Sequence, residues 1–234
     1  MGLHFQHSAE IWHDFPSLVA GAVFVNAITA DVSVAAQTAR FTAAAASRLA
    51  AAPESELPEI QAWRRAFARM GLKPTQYRCA AESLLRRFRK QGTLPRLHPL
   101  IDLCNAVSVA YATPVAVFDV ATIAGWLEVR YAAGDEEYLT FSGEVEHPAA
   151  GEVIFCDSAG QAHARRWTNR QSGLSAVHDS TTRALIVAEA LHDSAATDVP
   201  HLTTAIADEL KAIWPATPAV TVLSQSSPRF TFGP

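Results

Sequence analysis

Leu97-His98-Pro99-Leu100-Ile101-Asp102-Leu103-Cys104-Asn105-Ala106-Val107-Ser108-Val109-Ala110-Tyr111-Ala112-Thr113-Pro114-Val115-Ala116-Val117-Phe118-Asp119 is the stretch around which the rest of the chain is organised. It is too apolar for a surface loop, yet Asp102 and Asn105 sit inside it and Asp119 closes its last apolar run. From His98 to about Ala112 the apolar residues fall at helical spacing, and after Pro114 the run Val115–Asp119 reads as a strand. A buried carboxylate or amide without a partner costs about 1 to 3 kcal/mol. These residues are therefore expected either in hydrogen-bond networks or facing a pocket.

N-terminal to this stretch the chain reads as mostly helical. Ala20 to Thr29 is a short Val/Phe/Ile run expected as a buried strand, and Asp31 is placed to cap a helix over Ala35 to Ala52. Glu59 to Met70 carries an apolar stripe of Ile60, Trp63, Phe67 and Met70 and is closed by Gly71. Cys79 to Lys90 turns Leu84, Leu85 and Phe88 inward and is closed by Gly92. After Pro114 the pattern changes to short strands: Trp126–Ala132, Glu137–Phe141, Val153–Asp157 and Ala162–Thr168, with Gly and Asp turns between them. Arg183 to Leu191 is a strand or a helix, His201 to Trp214 a helix, and Ala219 to Leu223 a last strand. The C-terminal residues after it read as a tail. With no linker and no repeat, the fold class is α+β in a single domain.

Of the 234 residues, 49% are apolar and 18% charged, ample for a buried core. No stretch approaches the ~20 apolar residues of a membrane span, and the N-terminus lacks a signal-peptide pattern. No membrane partner and a cytoplasmic location are expected. Cys79, Cys104 and Cys156 are far apart in apolar contexts and suit reduced core thiols better than a disulfide frame or a zinc site. The net charge of −4 excludes a generic nucleic-acid or DNA binder. Yet ten of the 19 Lys and Arg lie between Arg64 and Arg96, where Glu82 is the only acid. Such a band is either a phosphate-facing surface or a pair of solvated helix faces.

No Walker loop, GxGxxG, HExxH, GxSxG or CxxC is present. No metal and no cofactor are expected. His98 and Asp102 have metal-ligand spacing but no third ligand, which favours capping of their own helix. The densest polar cluster is Arg165-Arg166-Trp167-Thr168-Asn169-Arg170-Gln171-Ser172. Guanidinium forks, an indole, amides and hydroxyls suit recognition of a small polar ligand or phosphate. They equally suit a charged hairpin.

Three segments together bring a family into view: Tyr77-Arg78-Cys79-Ala80-Ala81-Glu82-Ser83-Leu84-Leu85-Arg86-Arg87, then Leu97 to Asn105, then Pro114-Val115-Ala116-Val117-Phe118-Asp119. In that order they resemble the B3/B4 editing module of the bacterial phenylalanyl-tRNA synthetase beta subunit. Gly151 to Asp157 and the Asp179-Ser180-Thr181-Thr182 turn fit the same module. The resemblance covers about residues 57 to 192, and the whole length is similar to free-standing members of that family. It implies mixed β-sheets packed with helices around a central pocket. Residues 57–234 would form the tRNA-binding and editing core, and 1–56 an N-terminal strand and helix integrated into it.

The resemblance also implies roles. Asn105 matches the motif's pocket Asn, with His98 as a fallback base. Ala116, Arg165, Trp167, Asn169, Gln171 and Thr181 are expected at the substrate pocket. Arg78, Arg86, Arg87, Arg89 and Lys90 are expected on the tRNA backbone. Two departures stand out. Ala116 replaces the family's His, and Asn169 to Gly173 lacks the Glu that, in the synthetase, recognises a tyrosine hydroxyl. The expected partners are tRNA or aminoacyl-tRNA and its amino-acid moiety. The activity reads as deacylation of a mischarged aminoacyl-tRNA, or alternatively as non-catalytic binding of an amino acid or a tRNA 3′ end. Synthetase activity is not expected from this module.

Overall fold

The computed structural model describes residues 2–233. In chain order its elements are strand β1 (Leu3–His7), helix α1 (Ala9–Asp14), β2 (Val19–Val25), α2 (Ala35–Ala51), α3 (Pro58–Arg69), α4 (Ala80–Gln91), α5 (Pro99–Tyr111), β3 (Val115–Asp119), β4 (Trp126–Tyr131), β5 (Tyr138–Leu139), β6 (Val145–Glu146), β7 (Val153–Asp157), β8 (Ala162–Arg165), β9 (Arg170–Gln171), β10 (Ala184–Ala190), α6 (Ala195–Ile213), β11 (Ala219–Leu223) and β12 (Arg229–Phe232). They form a six-stranded sheet in the order β12-β1-β4-β7-β8-β9, a four-stranded sheet β11-β2-β10-β3, and a β5-β6 hairpin. In the six-stranded sheet β1 and β4 run parallel, and the other neighbours are antiparallel.

The inner strands β2 and β10 of the four-stranded sheet are buried on both faces, which explains why β10 is apolar without a period. One face, Phe24, Phe118, Leu185 and Val187, meets Phe5, Leu127, Val129 and Phe155 of the larger sheet, with Trp63 and Phe67 of α3 alongside. The rings of Phe118 and Phe155 lie 5.2 Å apart. The opposite face, Val23, Val25, Val115, Val117, Ile186 and Ala188, is covered by Leu100, Leu103, Cys104 and Val107 of α5 and by Leu202, Ile206 and Leu210 of α6. The layers are thus sheet, sheet and helices, as expected of an α+β fold with several small sheets.

Local chemistry explains the boundaries. His98 Nδ1 accepts from the Leu100 amide (3.2 Å) and Asp102 Oδ1 from the Leu97 amide (2.8 Å), so both cap the start of α5. Asp119 ends β3, its Oδ1 accepting from the Ala121 amide and its Oδ2 from the Thr181 hydroxyl (2.6 Å). All three cysteines are buried and free. Burial pushes the Cys79 and Cys104 thiols up to about 12 and Cys156 to about 11, so none is a reactive thiolate.

Three expectations change. Arg183–Leu191 resolves as strand, because β10 pairs on both sides, with β2 and β3. The C-terminal residues are not a free tail: β12 pairs with β1, and Phe232 stacks on Phe24 at 5.2 Å. Asp31 does not cap α2, whose N-cap is Val34 with no side-chain hydrogen bond. In addition, α6 begins at Ala195, a turn and a half earlier than expected, with Pro200 inside it.

Gly21 marks the closest approach between layers. A Cβ there would lie 2.4 Å from Thr203 Cγ2 and 2.8 Å from Val199 Cγ1 on α6. Gly21→Ala should therefore lower stability by about 1–3 kcal/mol, read as a lower urea midpoint at unchanged slope. An unchanged midpoint would mean that α6 is not seated on β2 in this way.

Candidate functional site

The period of β10 places Glu189 on the same face as Leu185 and Val187, toward the larger sheet. Glu189 is 1% exposed. A buried carboxylate needs partners, and it has them: His7 Nε2 lies 2.6 Å from Oε1, and Trp167 Nε1 donates to the same oxygen at 2.9 Å. Trp63 Nε1 donates to the Glu189 backbone carbonyl at 3.3 Å, and its ring meets Trp167 edge-on at 5.0 Å. Both donors to the carboxylate meet Oε1, so Oε2 is the oxygen left for a ligand.

Trp167 reaches Glu189 from the turn between β8 and β9. Arg166 and Trp167 have φ of 49° and 57°, two successive left-handed residues without a glycine. Such positions cost on the order of 1 kcal/mol or more each and persist where surrounding bonds over-determine them. Here Glu152 Oε1 accepts from the Arg166 amide (3.0 Å) and the Val153 carbonyl from the Trp167 amide (2.7 Å). The Thr168 carbonyl accepts from the Ala80 amide at the start of α4 (2.8 Å). Asn169 Nδ2 donates to the Arg78 carbonyl (2.7 Å) and Gln171 Nε2 to the Val117 carbonyl (2.6 Å).

These residues enclose a cavity of about 60 Å³. Pro114, Val115, Ala116, Phe155, Ala164 and Val187 supply its apolar wall, while Trp167, Thr168, Asn169, Arg170, Gln171 and Glu189 form the other side. Ala116 and Val187 are cross-strand partners on one sheet face, so the small side chain at 116 opens space beside Val187. The size suits a few waters or one small side chain, well below the ~300 Å³ of a drug-sized site. Asn169 and Gln171 each spend one N–H on a backbone carbonyl, and their carbonyl oxygens are free to accept. With Glu189 they supply three acceptors. Thr168 Oγ1, buried and without a partner, is a spare hydroxyl at the same wall.

Of the residues expected at a pocket, the structure thus brings together Ala116, Trp167, Asn169 and Gln171. Arg165 is not among them. It is buried and forked onto Glu152 (2.9 and 3.0 Å), with Glu146 at 2.6 Å, and the Glu152 hydrogen bond foremost raises its pKa. Thr181 is spent on Asp119. Asn105 and His98 line neither this cavity nor the larger one described below. They belong to the α5 end of the chain, and α5 covers the opposite face of the four-stranded sheet, so the sheet itself stands between them and the cavity. His98 is buried, and that burial lowers its pKa; Nε2 has no partner.

Four of the ten cations in the basic band are tied to buried carboxylates. Glu82 pairs with Arg64 (2.6 Å) and Arg78 (3.3 Å), and Glu54 with Arg86 (3.1 Å) and Arg89 (3.2 Å). Both carboxylates are 1% exposed, so these arginines chiefly neutralise buried charge. Arg87 bonds only Gln91, and Lys90 has no acidic partner among the described residues.

Glu189, His7 and Trp63 were not expected at the site. The signal for Glu189 was present: a lone carboxylate inside the apolar run Ala184–Ala190, the same signature that singled out Asp119. Glu189 lies on a different strand from Asn169 to Gly173 and lines the same cavity. A larger cavity of about 420 Å³ opens between α2 and residues 92–99, lined by Thr38, Phe88, Arg96 and Asp102 among others, and holds none of the expected pocket residues.

A sheet sandwich with an inter-sheet cavity closed by a hairpin defines a small α+β module. The sequence profile of the B3/4 domain matches residues 62–204, and the chain belongs to that family. The phenylalanine–tRNA ligase beta subunit of Cereibacter sphaeroides is 34% identical over 73 residues, covering 31% of this chain and 9% of the relative. That of Shewanella oneidensis is 31% identical over 90 residues, covering 38% and 11%. The matched stretches are thus about a tenth of the length of these relatives. An N-terminal fragment of the phenylalanyl-tRNA synthetase beta subunit from Pyrococcus horikoshii is similar at a TM-score of 0.49 and 8% identity, covering 93% of this chain and 50% of the fragment. No helix among the described residues is long and apolar enough to cross a membrane.

Two buried indoles allow a controlled test of the carboxylate's ties. Trp167→Phe removes a donor to Glu189 and should cost about 2 kcal/mol or more. Trp12→Phe removes an N–H that makes no bond in the structure and should cost distinctly less. Equal losses in denaturant titrations would contradict the Trp167–Glu189 bond.

Proposed function

We propose that this chain binds aminoacyl-tRNA and deacylates a mischarged one in trans, with the aminoacyl side chain in the cavity between Ala116 and Val187. The observation that carries the reading is Glu189, a buried carboxylate at a cavity whose other lining is apolar groups, two amide side chains, the Thr168 hydroxyl and the Arg170 guanidinium. Three acceptors on one small cavity suit a ligand rich in donors, such as an α-ammonium group or a hydroxylated side chain. A site built on polar groups rejects an analogue that lacks the matching donor, because its own groups are then left unpaired.

In the reaction, a water oxygen attacks the ester carbonyl, the bond to the ribose oxygen breaks, and the products are a free amino acid and a free tRNA hydroxyl. The amide oxygens of Asn169 and Gln171 orient that water. The Thr168 hydroxyl and the Arg170 guanidinium, both in the cavity lining, are the donors for the developing oxyanion. Arg87 and Lys90 meet the tRNA backbone. The cavity has no histidine in its lining, and this favours a second reading in which the chain binds the aminoacyl end without turnover.

Incubation with a panel of mischarged tRNAs tests the proposal. Ester loss above the spontaneous rate is expected on at least one, with Glu189→Gln lowering kcat/KM about 10- to 100-fold. No ester loss on any of them overturns the hydrolase. In that case stabilisation by an amino acid or uncharged tRNA in thermal-shift assays would establish the binding module. Either way, tRNA affinity should fall steeply between about 50 and 200 mM salt, and Lys90→Gln should reduce the salt slope by about one.

A further inference from the structure

Away from the cavity, three segments distant in sequence converge on a second polar cluster. Glu59 lies in the first turn of α3, His192 in the segment after β10, and Asp198 in the first turn of α6. One donor atom from each lies within 4.8 Å of the other two. We propose that Glu59, His192 and Asp198 bind a divalent first-row transition-metal ion that fastens α3 to α6.

The donor set is one imidazole and two carboxylates, a borderline set suited to Zn²⁺ or Mn²⁺ with water completing the shell. One buried lone pair is unassigned. Glu59 Oε2 is buried and unpartnered, because Arg48 Nη2 occupies Oε1 (2.6 Å). His192, 97% buried at its side chain, turns Nε2 toward Asp198. A buried carboxylate oxygen without a donor is costly, and beside an imidazole nitrogen and a second carboxylate it fits a missing cation.

The remaining contact fits. His192 Nε2 and Asp198 Oδ2 are 2.9 Å apart, close to the ~3.0 Å between adjacent ligands at right angles around an ion with ~2.1 Å bonds. The Ser194 hydroxyl donates to Asp198 Oδ2 at 2.6 Å, which orients the carboxylate as an outer partner does around a metal. Burial works against ionisation of Asp198, but the Ser194 and His192 hydrogen bonds outweigh it and hold the carboxyl below its ordinary range. Arg48 leaves the two carboxylates with one net negative charge for a cation to offset. Binding displaces at most the proton shared by His192 and Asp198 and requires no redox change. The site involves no residue of the inter-sheet cavity, so its fate is independent of the hydrolase reading.

The test uses the full chain, stripped with a chelator and dialysed against Zn²⁺ and, separately, Mn²⁺. One bound ion per chain is expected, with the unfolding midpoint rising by about 5–10 °C at about 100 times the Kd. Asp198→Asn and Glu59→Gln should each abolish the rise. Pulsed electron paramagnetic resonance of bound Mn²⁺ on the unaltered chain should show nitrogen hyperfine coupling from one imidazole, a readout that depends on no variant folding. No midpoint shift with either ion, an equal shift in both variants, or Mn²⁺ bound without nitrogen coupling would each overturn the site.

Discussion

The fold depends on one buried charge. The Glu189 carboxylate, taken out of water in the middle of a sheet sandwich, would cost several kcal/mol without partners. Its two partners on Oε1 lie 160 residues apart in the chain, His7 on the first strand and Trp167 in the turn between β8 and β9. Trp63 adds a bond to the Glu189 backbone and packs on Trp167. Four segments thus meet at one residue. The left-handed backbone at Arg166 and Trp167 is tolerated because that is how the indole reaches the carboxylate while the Thr168 carbonyl reaches α4. The cavity is a consequence of this arrangement: the turn held over Glu189 closes the gap that Ala116 leaves between the sheets.

The arginine-rich helices show how local composition misleads. Ten cations with a single acid between them suggest an open polyelectrolyte surface. In the folded chain Glu54, which lies outside that interval, and Glu82 each draw two arginines inward. These carboxylates are buried, so removing a paired arginine leaves an uncompensated charge, which is costlier than losing a surface contact. What remains for a polyanion is the set of exposed cations Arg65, Arg69, Lys73, Arg87, Lys90 and Arg96.

Much of the fold is legible in the sequence because it is locally encoded. The stripe Ile60, Trp63, Phe67 makes α3 recognisable, and Pro99 with His98 and Asp102 marks the start of α5. Val115–Asp119 reads as a strand from its β-branched run. What is not legible depends on partners far away. β10 has no period because both its faces are buried, so strand and helix read alike until β2 and β3 are in place. Arg229–Phe232 alternates like a strand, but its pairing partner is 223 residues upstream or more in the register Leu3 to Gln6 with Phe232 to Arg229. At the site, the hairpin residues Trp167, Asn169 and Gln171 were recognisable from their chemistry. Asn105 was not placeable, since only the three-dimensional fold shows a sheet between α5 and the cavity. Glu189 carried a visible signal, a charge in an apolar strand, whose meaning required knowing which face of the strand it occupies.

The most direct measurement of the central claim is a crystal structure with an aminoacyl-adenosine analogue whose ester is replaced by an amide. Glu189 as the pocket carboxylate predicts the aminoacyl side chain between Ala116 and Val187, with a ligand donor within hydrogen-bonding distance of Glu189 Oε2. An analogue bound instead in the cavity beside α2, or in the inter-sheet cavity without contact to Glu189, would contradict it.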